Sequence, residues 1–216
     1  MSDSLPEKRY RRRVQAELPL AFLETVRNRD QPIEVLDDEN VSLTLPRRFG
    51  LSGVVEDQIR RYKQEARRGR RIREVEVRDL IRLVARRPDA RWVFHEVGRS
   101  LMAKEGVPAL RKVLPKWLLL NLARNRIQRR LRALFGGTFL SIYRGPFQLE
   151  ATHQLLIEAD PEGDACALVT GLSQTVIDAY GSAPTQVVHV SCRARGGEKC
   201  RWKLEEAGRE EASDNG

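Results

Sequence analysis

A chain of 216 residues is long enough to bury one substantial core or two small ones. Hydrophobic residues make up 41% and charged residues 32%, the balance of a heavily solvated globular protein, and no apolar run approaches the roughly 18–20 residues that span a bilayer. The net charge is +9, and 32 of the 39 basic residues are arginine. That charge invites phosphate-bearing partners such as nucleic acid or anionic lipid, yet acidic residues are interleaved almost throughout, so it also reads as arginine filling solvated helix surfaces.

The opening MSDSLPEKRYRRR has basic residues with no apolar stretch behind them, so residues 1–15 are expected to be a flexible basic tail and not a secretory leader. Glu17 to Arg29 carries Leu18, Leu20, Phe22, Leu23 and Val26 and fits a short helix. Ile33 to Leu45 alternates weakly, as a hairpin around Asp37-Asp38-Glu39-Asn40 would. From Ser52, a suitable N-cap, Val55, Ile59 and Tyr62 fall on one face of a helix ending near Gly69. Leu80, Ile81, Val84 and Ala85 mark a further helix closed by Pro88. Asp89 can cap the next, whose stripe is Trp92, Val93, Val97 and Leu101.

The longest helical signal is Pro115 to Phe135, with Trp117, Leu120, Ala123, Ile127, Leu131 and Leu134 on one side and Arg124, Arg126, Arg129, Arg130 and Arg132 on the rest. Such a helix can lie on a membrane surface, but a core-facing helix with a solvated back is the preferred reading. After Gly136-Gly137 the apolar period changes from about 3.6 to 2. Thr138 to Arg144 reads as one strand and Phe147 to Glu158 as a second, with Phe147, Leu149, Ala151, His153, Leu155 and Ile157 sharing a face. Asp164 can cap a helix to about Tyr180, striped by Leu168, Leu172 and Val176. Thr185 to Ala194 and Lys199 to Glu205 are two more strands. Helices followed by β-β-α-β-β predict an α+β domain over residues 16–206 with an antiparallel sheet, and 207–216 a second disordered tail.

All three cysteines, Cys166, Cys192 and Cys200, and one of three histidines, His189, lie in the final quarter. Three thiols and an imidazole close a tetrahedral zinc site with no open position, which makes the metal structural and not catalytic. An odd cysteine count without export features argues against disulfides and for a reducing cytoplasm. The alternation of the last two strands, closed by a three-residue loop Arg195-Gly196-Gly197, pairs 192 with 200, 190 with 202 and 188 with 204. Opposed residues have β-carbons roughly 4.5–5.5 Å apart, which suits two thiolates on one zinc. Cys166, in the first turn of its helix, supplies the third. His189 stands three residues before Cys192 and faces the other way in a regular strand, so it ligates only where a bulge re-aims it.

The pattern C-x25-C-x7-C, with a ligand-type residue three before the second cysteine and glycine between the last two, resembles the 4-vinyl reductase domain. That family holds the input module of phenol-sensing bacterial activators and a protein linked to bacteriochlorophyll synthesis. In the phenol sensors the comparable site is three cysteines and a glutamate; His189 stands at the glutamate's place here. The segment E-V-G-R-S-L-M at 96–102 also looks like the helix that opens the family domain. The resemblance implies a sheet of about four to five antiparallel strands with helices packed on one side, like TRAPP vesicle-tethering subunits and haem nitric-oxide-binding proteins, and an apolar pocket for a small ligand. It also implies a structural zinc ion. The sensors carry ATPase and DNA-binding modules after this domain; here a signal is expected to leave through a partner, through oligomerisation such as a homodimer, or not at all.

Three side chains are candidates to bind the ligand: His153, on the apolar face of its strand, and the aromatic Trp92 and Trp202. His95 lies beside Trp92 at i+3 with no function required of it. Neither a Ser-His-Asp arrangement, nor paired carboxylates, nor a Gly-rich dinucleotide fingerprint after a strand is present, so no reductase or other catalysis is expected. The leading expectation is a zinc-stabilised domain that senses or carries a small apolar or aromatic molecule. The alternatives are an accessory factor in tetrapyrrole synthesis, and a basic protein that docks on nucleic acid or anionic membrane through the 115–135 helix and the arginine-rich tail.

Overall fold

The computed structural model describes residues 13–30, 53–103, 114–136, 139–144, 147–180 and 185–206, without the side chains of 139–144 and 153–154. The chain order is β1 (Arg13–Gln15), α1 (Glu17–Asp30), α2 (Gly53–Arg67), β2 (Arg71–Arg73), α3 (Glu74–Ala85), α4 (Ala90–Ala103), α5 (Lys116–Phe135), β3 (Phe139–Arg144), β4 (Gln148–His153), α6 (Gln154–Ala159), a 3-10 turn (Asp164–Cys166), α7 (Ala167–Tyr180), β5 (Thr185–Ser191) and β6 (Cys200–Glu206). This is an α+β arrangement with two antiparallel sheets, β1-β2 and β3-β4-β6-β5. The expected hairpin at 33–45 lies outside the described residues, as do residues 1–12 and 207–216 of the two tails.

Each helix forms where its apolar residues recur with helical period, and buries that stripe. In α1 every residue from Leu18 to Leu23 is buried, so the helix is surrounded by protein, with Phe22 edge-on to Phe94 at 5.6 Å and 86°. Helix α7 buries Leu168, Val169, Leu172 and Val176 at 2% exposure or less; burying each such side chain contributes roughly 1.5–3 kcal/mol. The α4 and α7 backbones cross in contact: a β-carbon on Gly98 would strike the Leu168 carbonyl and the Leu172 nitrogen, and one on Gly171 the His95 carbonyl. Glycine is required at both points because backbone sits where a side chain would begin.

The four-stranded sheet has one apolar face, formed by Leu149, Ala151, Val187, Cys200 and Trp202, all 2% exposed or less. On the opposite face Glu150 takes ion pairs from Lys199 and Arg201 at 3.6 and 3.3 Å. Helix α7 packs on β5 and α5 on β3.

Several expectations are corrected. Arg13–Gln15, assigned to the tail, form β1 and pair with Arg71–Arg73, joining a buried Val14 to Ile72. The second strand stops at His153 and becomes helix α6, so Leu155 and Leu156 are both fully buried where strand alternation would send one outward. The α5 stripe runs through Leu119, Ala123, Ile127, Leu131 and Leu134, and Trp117 is 66% exposed. Part of its arginine face turns inward: Arg130 donates to the Leu101 carbonyl at 2.9 Å and pairs with Glu17, and Arg126 donates to the Tyr180 hydroxyl. Away from the turn the last two strands pair one residue off the expected register, 187 with 204 and 189 with 202, and a bulge between His189 and Ser191 then restores the expected one, so that Ser191 faces Arg201. The turn is longer than three residues. The Cys192 carbonyl accepts from both Arg195 and Gly197 nitrogens, with Gly196 at φ +88 between them.

The connection from α3 to α4 is clamped by Arg87, which donates to both Asp30 oxygens at 2.9 and 2.7 Å and to Asp89 at 2.9 Å. Those Arg87 bonds hold the Asp89 carboxyl below the usual carboxylate range. A depressed folded-state value means that this stability is present above the unfolded value, about pH 4, and is lost as the pH falls through the lower folded one. Asp89→Asn is therefore expected to unfold at lower urea than the parent near neutral pH, with the gap closing as the pH falls through the depressed folded-state value; a gap that persists in strong acid would remove the charge from the account.

Candidate metal centre and adjoining cleft

Four side chains from the 3-10 turn, β5, the β5–β6 turn and β6 meet at one place. The ligand atoms of Cys166, His189, Cys192 and Cys200 all lie within 4.8 Å of one another. Cys166 Sγ stands 3.8 Å from Cys192 Sγ and 3.8 Å from Cys200 Sγ, far outside the ~2.05 Å of a disulfide. This four-residue group can hold a metal ion.

Each donor is held by its own local structure. Cys166 ends the 3-10 turn that feeds α7, and the turn is fixed by Asp160, whose carboxylate accepts from the nitrogens of Ala165 at 2.6 Å and Glu162 at 3.1 Å. The sequence assigned this capping to Asp164; the residue four earlier does it. Cys192 opens the β5–β6 turn and packs on Gly163, where a β-carbon would come 2.6 Å from its sulfur and where φ is +82. Cys200 begins β6 and accepts the Arg193 N–H at 3.4 Å. His189 faces Trp202 across the ladder, the rings stacked with centroids 4.6 Å apart at 20°, and the Trp202 indole N–H is tied to Thr170 Oγ1 at 3.0 Å. The bulge after His189 therefore puts imidazole and sulfurs on one side, as the spacing demanded.

Two observations show that the donor set fits a cation. His189 Nε2 is buried and has no hydrogen-bond partner, a deficit that ordinarily costs ~1–3 kcal/mol. The Cys166 thiol is pushed far up by its contact with Cys200, by burial and by the charges of Cys200 and Cys192. Three sulfurs this close in a dry site cannot share negative charge unless a positive ion sits among them.

Beside the cluster lies a cleft of about 590 Å³ between the first turns of α4, the start of α7 and strand β5, with Trp92, His95, Thr170 and His189 on its walls. Trp92, a predicted ligand contact, is here, 44% exposed. Trp202, another, is fully buried behind the wall, where it orients His189 and touches no open space. The third, His153, has its side chain outside the described residues. Arg91, one residue before Trp92, also lines the cleft and had no signal in the sequence beyond the general excess of arginine. Burial, then Arg99 and Arg91, hold His95 below the ordinary imidazole value while Glu96 pulls the other way.

No protein-family model, curated protein or solved structure matches this chain. Among the described residues no helix is long and apolar enough to cross a membrane.

Proposed function

We propose that the protein is a zinc-stabilised domain that binds a small molecule, as a sensor or a carrier, and has no catalytic step of its own. The observation that carries this is the geometry of the sulfurs. Four donors held tetrahedrally around one centre at the ~2.3 Å of a zinc–thiolate bond stand ~3.8 Å apart, the separation of Cys166 from each of the other two thiols. Three thiolates and an imidazole fill the coordination sphere, so the ion staples the β5–β6 turn to the head of α7 and leaves no position for substrate. The adjoining cleft supports the binding half of the proposal, because ligand sites commonly enclose roughly 300–1,000 Å³. A TRAPP-subunit-like fold of the 4-vinyl reductase kind is consistent with a helix pair over a four-stranded antiparallel sheet.

Elemental analysis of protein purified without chelators is expected to find zinc at about one equivalent per chain, released together with His189 and thiol reactivity by a strong chelator. Zinc well below that level, with iron or copper also absent, would remove the proposal's first half.

A further inference from the structure

We infer that the cleft is a site for a planar aromatic carboxylate, its ring lying against Trp92 and its carboxylate on Arg91. The inference rests on the small-molecule half of the proposed function and names the ligand class.

The charges in the cleft decide the sign. Two acids and two arginines line it. Asp89 is taken up by Arg87 at 2.9 Å and by Arg29 at 3.5 Å. Asp164 is paired with Arg195 at 3.3 Å, and Arg195 is further committed to the Glu162 carbonyl at 2.7 Å. Arg91 is exposed and makes no hydrogen bond or ion pair with any described residue. One cation is left over, and a guanidinium fork binds a carboxylate by two parallel bonds.

The shape decides the rest. Arg29 covers Trp92 from 4.6 Å, which fixes the indole and enriches it in positive charge on that side. The ring remains 44% exposed and is one of the walls, a flat apolar surface beside the free cation. His95, one helical turn beyond Arg91, adds a neutral ring nitrogen at the same mouth. A flat ring with an acidic substituent satisfies all three groups; an uncharged aromatic leaves Arg91 unpaired, and a bare inorganic anion leaves Trp92 uncovered.

The test uses the full, metal-loaded chain, with fluorine NMR titration of 4-fluorobenzoate and 4-fluorobenzyl alcohol and phosphorus NMR titration of inorganic phosphate. The benzoate is expected to bind at least about tenfold more tightly than the alcohol or phosphate, and Arg91→Gln is expected to weaken it about tenfold while leaving the alcohol unchanged. Trp92→Leu is expected to weaken both aromatic probes. Both residues are at the surface, and zinc content and melting temperature measured on each variant confirm that the fold is intact. Equal binding of benzoate and alcohol, indifference to Arg91→Gln, or no binding by either aromatic probe overturns the inference. Carboxylate-selective binding in protein that proves to hold no zinc upholds it while refuting the metal half of the proposed function.

Discussion

Cys200→Ala is expected to lower the unfolding free energy by at least about 3 kcal/mol, because structural zinc binds with apparent free energies of roughly 10–16 kcal/mol that appear as folding free energy. For a chain of this length that corresponds to a fall in melting temperature of roughly 6–12 °C. Cys200 is fully buried at the start of the central strand β6, with Arg193 N–H on its sulfur, so its loss reaches both the ladder and the turn. Thermal unfolding should be followed for the parent and the variant, each with and without chelator. Chelator should bring the parent down toward the variant and add little to the variant itself, since both remove one ion. A variant that melts with the parent would mean that the ion contributes nothing to the fold, and one that chelator lowers as far again would mean that Cys200 does not hold the ion.

The helix crossing supplies the second large effect. Gly98→Ala and Gly171→Ala each insert a methyl group where the partner helix already has a carbonyl, and the backbone of two helices cannot yield as a flexible side chain can. Overpacking of ordinary cores costs typically ~1–3 kcal/mol and occasionally more; both variants are expected at or above the upper end. Gly53→Ala is the control, since nothing lies within 4 Å of a β-carbon there, and it should be neutral or slightly stabilising. Urea unfolding of the three variants checks the ranking. Comparable midpoints for all of them would show that the close approach of α4 and α7 is not tight in solution.

Where the sequence was legible, one pattern ran long enough to be read alone. The bounds of α1, α5 and α7 follow from apolar stripes of 14 to 20 residues, and the ligand quartet follows from residue types that have few other uses together. The failures have local causes. β1 and β2 are three residues each with a single apolar side chain, so no alternation exists to detect. Leu155 and Ile157 continue the alternation of β4 into a helix, because over four residues a strand and a helical turn can carry the same apolar residues. The register of β5 and β6 holds next to the turn and fails beyond Ser191, because the bulge between His189 and Ser191 leaves no mark in the apolar alternation. Trp92 and Trp117 belong to the apolar stripes on hydrophobicity alone, yet both rings stay exposed, and on Trp92 the Arg29 guanidinium stacks from 4.6 Å. Arg91 was invisible among 32 arginines; only an inventory of which charges are already spent singles it out.

The extra residue in β5 carries a consequence for how this segment can vary in length. Along an extended chain, side chains alternate between two sides, so two donors an odd number of steps apart oppose each other and two an even number apart agree. His189 and Cys192 are three steps apart, and one irregularity converts odd to even. The constraint is thus one of parity rather than of distance. Loss of the single surplus residue, Val190, would leave an even separation, straighten the strand and keep the His189 imidazole and the Cys192 sulfur on the same side.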